Sequence, residues 1–154
     1  MRVEYINPFF QATNDVFSVM LNLQTKRGNL KAVEELIPVH EANVVIGVTG
    51  DMRGSLLFSF PEEMALEMVK IMSGMEMNKL DAFVTSALSE VANIISGNAL
   101  TYLAQNQLTC DISPPQVIVG AGGSMSMTTE KAVVLPLQTN VGTFEISISL
   151  HGSK

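Results

Sequence analysis

The apolar positions of this chain change period several times, and each change marks an element. After Asn7-Pro8, residues Phe9, Ala12, Thr13, Val16, Phe17, Met20 and Leu21 recur at helical spacing, predicting an opening amphipathic helix with Pro8 in its first turn. The basic run Lys26-Arg27-Gly28-Asn29-Leu30-Lys31 breaks that period and reads as a solvated loop, extending from Thr25 to Glu35 and leading to Leu36-Ile37-Pro38-Val39. From Ala42 to Thr49 and from Ser55 to Phe60 the period becomes two, and the turn residues of Gly50-Asp51-Met52-Arg53-Gly54 join the runs as a β-hairpin. Val44, Ile46 and Val48 then share one face, while Leu56, Phe58 and Phe60 alternate with Ser55, Leu57 and Ser59.

Pro61-Glu62-Glu63 opens a second helix, because proline fits the first turn and acids there face the positive end of the helix dipole. It runs through Ala65, Leu66, Met68, Val69 and Met72 to Gly74. Asn78, with Asp81 three residues on, predicts the cap of a third, long helix carrying Leu80, Val84, Ala87, Val91, Ile94 and Ile95 and reaching Ala104 or Gln107. Asp111-Ile112-Ser113-Pro114-Pro115 is a rigid extended connection. Val117–Val119, Met125–Met127, Ala132–Leu137 and Thr143–Leu150 follow as short strands, the last alternating Phe144, Ile146, Ile148 and Leu150 with Glu145, Ser147 and Ser149. Strands grouped with strands predict an α+β fold: a mainly antiparallel sheet with three helices packed on one face, as one domain over residues 1–154.

Composition narrows what such a domain does. Hydrophobic residues make up 47% of the 154 and charged residues 16%, enough apolar material for a core and an interface. The net charge of −6, with nine scattered Lys and Arg, argues against a nucleic-acid partner. The single cysteine, Cys110, excludes an intrachain disulfide, and His40 and His151 stand in no metal-binding spacing. Neither a signal-peptide h-region nor an apolar run of about 20 residues is present, so the expectation is a cytoplasmic protein with no membrane insertion.

Two features invite a chemical reading. Gly120-Ala121-Gly122-Gly123-Ser124 is rich in glycine but lacks the lysine of a phosphate loop and joins two strands, so it reads as a turn. The third helix is different. At about 100° per residue, Ser86, Glu90, Asn93 and Gly97 fall within about 60° of one another, so a carboxylate and an amide project together from a strip of small residues. Glycine inside a helix costs up to about 1 kcal/mol relative to alanine, so Gly97 suggests close approach by a partner. Taken alone, Glu90 and Asn93 read more simply as the solvated face of an amphipathic helix.

The run Ser86-xxx-Glu90-xx-Asn93 followed by Pro114-Pro115, with Val45-Ile46-Gly47-Val48-Thr49-Gly50 and Gly54-Ser55-Leu56 upstream, resembles the chemotaxis phosphatase family that includes CheX, CheC and FliY. The resemblance spans from about Val44 to the last strand and is closest to the CheX type, since one such helix is visible where CheC-type members carry two. It implies removal of the phosphoryl group from the receiver-domain aspartate of a CheY-like response regulator, with Glu90 and Asn93 catalytic; Ser86 and Gly97, small residues on the same strip, are the expected partner contacts.

The resemblance also implies that the receiver brings its own Mg²⁺ and lysine, so the phosphatase needs no cofactor of its own. What remains is to hold one water in line with the phosphorus, and an amide such as Asn93 both donates to and accepts from that water. Glu90 either pairs with a cation of the receiver, most simply its lysine, or acts as a general base. A catalytically silent receiver-binding or scaffold domain of the same fold is the alternative, and an unrelated small-molecule binder would instead show a concave apolar pocket. The resemblance further implies a homodimer, for which the alternating C-terminal strands offer sheet edges.

Overall fold

The computed structural model describes residues 3–34, 36–125 and 131–152. Helix α1 (Val3–Val16) begins before the proline, so Pro8 lies inside it and not in its first turn. The helix widens into a π-helical turn at Phe17–Leu21, which ends where Asn22 takes the left-handed conformation.

Strands β1 (Lys26–Arg27) and β2 (Lys31–Val33) follow, then β3 (Ile37–Val39) and the hairpin of β4 (Ala42–Gly50) and β5 (Met52–Phe60). The basic run expected as a loop is therefore sheet edge. Lys26 and Arg27 pair with Gln138 and Leu137, and Lys31–Val33 pair with Val134–Ala132. Two- and three-residue strands are too short to show a period, and a neighbouring strand supplies their hydrogen bonds.

Helix α2 (Glu62–Ser73) starts after Pro61 and ends at left-handed Gly74, whose N–H bonds to the Lys70 carbonyl at 2.8 Å. The Glu41 carboxylate accepts the Glu62 N–H at 2.8 Å, capping α2 from outside the helix. Helix α3 (Ala82–Gln105) is capped by Asp81, whose side chain accepts from the Val84 N–H at 3.0 Å. Asn78 thus precedes the helix, and the acid expected three residues inside is itself the cap.

Strands β6 (Cys110–Ile112), β7 (Gln116–Val119), β8 (Gly123–Met125), β9 (Ala132–Thr139) and β10 (Gly142–Gly152) complete the chain. Part of the expected extended connection before Pro114 is β6, and of the strand expected at Met125–Met127, Ser126 and Met127 lie outside the described residues. The glycine-rich segment forms the turn from β7 to β8, with Gly122 and Gly123 at positive φ.

The main sheet is antiparallel in the order β1-β9-β10-β5-β4-β6, with β2 extending the β9 edge and β7 the β4 edge. Each edge is thus two short strands laid end to end. The breaks are bridged by a few contacts: Gly28 N–H to the Pro136 carbonyl at 2.9 Å at one edge, and Gly47 N–H to Ser113 Oγ at 2.8 Å with Ser113 N–H to the Gly47 carbonyl at 2.9 Å at the other. Gly54, at φ +150°, lets β5 press on β10, since a Cβ there would sit 1.7 Å from the Ser149 carbonyl oxygen.

One face of this sheet carries the helices. Phe17, Phe60 and Phe144 stack there, with Phe144 centroids 5.2 and 4.7 Å from the other two rings, among Ile46, Phe58, Met68, Val91 and Ile146. The alternation read from β4, β5 and β10 is the alternation observed. The opposite face, which the sequence did not assign, holds a second cluster of Ile37, Leu57, Ala132 and Val134 beneath the small β3-β8 sheet. His40 ties that side down: its N–H bonds to Ser59 Oγ at 2.7 Å and its Nε2 lies 2.9 Å from both Glu145 oxygens.

Candidate functional site

Helix α3 is held from several directions at once, by α1, α2 and the sheet strands β4, β6 and β7. Its buried residues are Val84, Leu88, Val91, Ala92, Ile95, Ser96, Ala99, Leu100 and Leu103. At 100° per residue these cover about half of its circumference. The strip of Ser86, Glu90, Asn93 and Gly97 occupies the other half, facing solvent. Ser86 and Glu90 are exposed, and Asn93 and Gly97 are partly so.

The four residues proposed from sequence therefore do come together, on one exposed line of a rigid helix. Rigidity follows from the burial behind them and from Asp81 fixing the first turn. The α3 hydroxyls of Thr85, Ser96 and Thr101 bond back to carbonyls of the helix. Among the described residues, the side chains of Glu90 and Asn93 have no hydrogen-bond or ion-pair partner. Their full bonding capacity faces outward, with Asn93 half-shielded and Glu90 open to water.

The strip is also poor in charge. Over Ala82–Gln105, a span of 24 residues, Glu90 is the one charged side chain. A solvated helix face ordinarily carries several charges, whereas interface cores are depleted of them. Nothing lies within 4 Å of a Cβ built on Gly97, so the protein itself does not require glycine there. Phe83, two turns before Glu90 on the same line, is 50% exposed, and the sequence reading passed over it. An aromatic at a position out of phase with the buried face was the available signal.

A hollow of about 620 Å³ is open and polar, lined by residues including Ser18, Asn22, Gln24, Lys26, Gln138 and Asn140. Among the described residues, no three His, Cys, Asp or Glu side chains gather as metal ligands, and no helix is long and apolar enough to cross a membrane.

Comparison with known proteins places this geometry. The family model for the chemotaxis phosphatase CheX matches residues 42–138, a span that contains the whole α3 strip. The CheY-P phosphatase CheX of Thermotoga maritima is 33% identical over 121 residues, 78% of each chain. A CheC-like superfamily protein from a Shewanella species superposes with a TM-score of 0.91 at 27% identity, covering 99% of this chain and all of that one. A structure of the CheX-CheY-BeF3-Mg²⁺ complex from Borrelia burgdorferi superposes with a TM-score of 0.76 at 26% identity, covering 97% of this chain and 99% of that one.

Proposed function

This chain belongs to the chemotaxis phosphatase CheX family, and from that premise we propose that it hydrolyses the phosphoaspartate of a CheY-like response regulator, ending a chemotaxis-type signal. The observation that supports this reading most is that Glu90 and Asn93 stand one turn apart on a rigid, charge-poor helix face with no partner among the described residues. A helix face meant only for solvent ordinarily carries several charges, and α3 carries Glu90 alone.

Asn93 is the water-positioning group. Its amide oxygen accepts from the attacking water while its NH₂ donates toward the phosphoryl oxygens, holding the water in line with the phosphorus. Orientation of this kind is worth several kcal/mol without any change in basicity. Glu90 lies one turn earlier and pairs with a cation of the receiver, setting the register at which Asn93 enters. Ser86 and Gly97 let the receiver approach the helix backbone closely. The metal that neutralises the phosphoryl charge belongs to the substrate, in keeping with the CheY complex of the Borrelia relative, which contains Mg²⁺.

We further propose a single functional domain acting in the cytoplasm as a homodimer. The strand assigned to the dimer edge differs from the sequence-based expectation. β10 is flanked by both β5 and β9 from Glu145 to Ile148 and lies inside the sheet there, so along that stretch it offers no edge to a second subunit. The β7 edge does, with Ile118 and Val119 at 40% and 47% exposure and pairing on one side to β4.

The test is the rate of phosphate loss from a phosphorylated CheY-like receiver, compared for wild type and Asn93→Ala at matched saturation. Water positioning predicts acceleration by wild type and a fall of about 100-fold or more in Asn93→Ala while binding persists. Binding without acceleration by wild type would leave a silent receiver-binding domain.

A further inference from the structure

Phe83 lies outside the buried core. It sits in the first turn of α3, beside a cap made by Asp81 to the neighbouring Val84 N–H, and it belongs to neither hydrophobic cluster. Half of its surface meets water. Seven residues separate it from Glu90, close to two whole turns, so the two lie within about 20° of each other around the helix and about 10 Å apart along it. Asn93 is about 15 Å away on the same strip.

We infer that Phe83 is the apolar anchor with which this protein seats its receiver on α3. The inference rests on the reading of the Glu90–Asn93 strip as the receiver-facing surface. A standard interface covers about 800 Å² per partner, roughly 30 Å across, so a footprint centred on Glu90 and Asn93 reaches Phe83. Ser86, Gly97 and Asn93 bring little apolar area, and Glu90 brings charge. Phe83 is the side chain on this line that can fill a partner's depression, and buried aromatics carry a disproportionate share of binding energy. The occupant is the receiver domain, gripped by an apolar contact about three turns from the water-positioning amide.

This separates seating from chemistry, and the separation is measurable. The experiment titrates wild type, Phe83→Ala and Phe83→Leu with a receiver loaded with beryllofluoride, an acyl-phosphate mimic that is not hydrolysed. Thermal melting of each variant and its oligomeric state by sedimentation are recorded alongside, and kcat and KM are measured on the phosphorylated receiver. Expected are a Kd raised about 10- to 30-fold in Phe83→Ala, which corresponds to about 1.4–2 kcal/mol, retention within about threefold in Phe83→Leu, and an unchanged kcat in both. A Kd for Phe83→Ala within threefold of wild type overturns the anchor. So does loss of self-association with receiver affinity intact, which would assign Phe83 to a second copy of this chain. If wild type binds the loaded receiver but does not speed phosphate loss, the phosphatase reading fails while the binding comparison still decides the role of Phe83.

Discussion

At the scale of single residues, the spacing of Ser86, Glu90, Asn93 and Gly97 was legible because helical geometry fixes which side chains share a line. What the spacing did not reveal is that Glu90 and Asn93 lack partners within the described fold, a property set by neighbours distant in sequence. The role of Glu90 separates cleanly in a substitution. If it pairs with a receiver cation, Glu90→Gln raises KM about tenfold with kcat nearly unchanged and independent of pH between about 5 and 8. Service as a general base would instead lower kcat and remove an acid limb from its pH profile. Gly97 offers a second contrast. With open space where a Cβ would go, Gly97→Ala should stabilise the isolated protein by about 0.5–1 kcal/mol, read from its urea midpoint, yet weaken receiver binding.

At the scale of elements, the long strands and helices followed from period, and the short ones did not. β4, β5 and β10 alternate over eight or more residues, whereas β1, β2, β3 and β6 span two or three and take their hydrogen bonds from partners far along the chain. The start of α3 was read too early because Asn78 and Asp81 are both good caps, and the fold uses the second. The link between α1 and α3 was invisible in sequence: the Tyr102 hydroxyl donates to the Asp15 carboxylate, 87 positions away. That hydrogen bond to Asp15, then desolvation, then the Asp15 charge raise the Tyr102 pKa above 10.0. A raised tyrosine contributes stability that is complete below the unfolded value near 10 and is lost as pH rises through the folded value. Wild type should therefore exceed Tyr102→Phe in urea midpoint at pH 8, and the gap should close progressively above pH 10.

At the scale of the whole molecule, the class was legible because strands were grouped with strands, but their order in the sheet was not. A last strand reads as an edge until it is known that β9 and β10 turn back onto β5, which leaves β7 at the rim. Dimerisation through β7 predicts that Ile118→Lys, placing a charge on an exposed edge, shifts sedimentation toward monomer without lowering the melting temperature. Catalysis per subunit should survive, since α3 carries its residues within one chain.

The two faces of the sheet differ in depth, and that difference has a kinetic meaning. The helical face is one large cluster, but the β3-β8 ribbon stands on four buried side chains and three registered residue pairs. Such a ribbon can lift away while the aromatic stack stays dry. Amide protons of Val39 and Met125 should then exchange with deuterium at least about 100-fold faster than those of Phe58 and Ile146, through a local opening that leaves the rest of the protein closed.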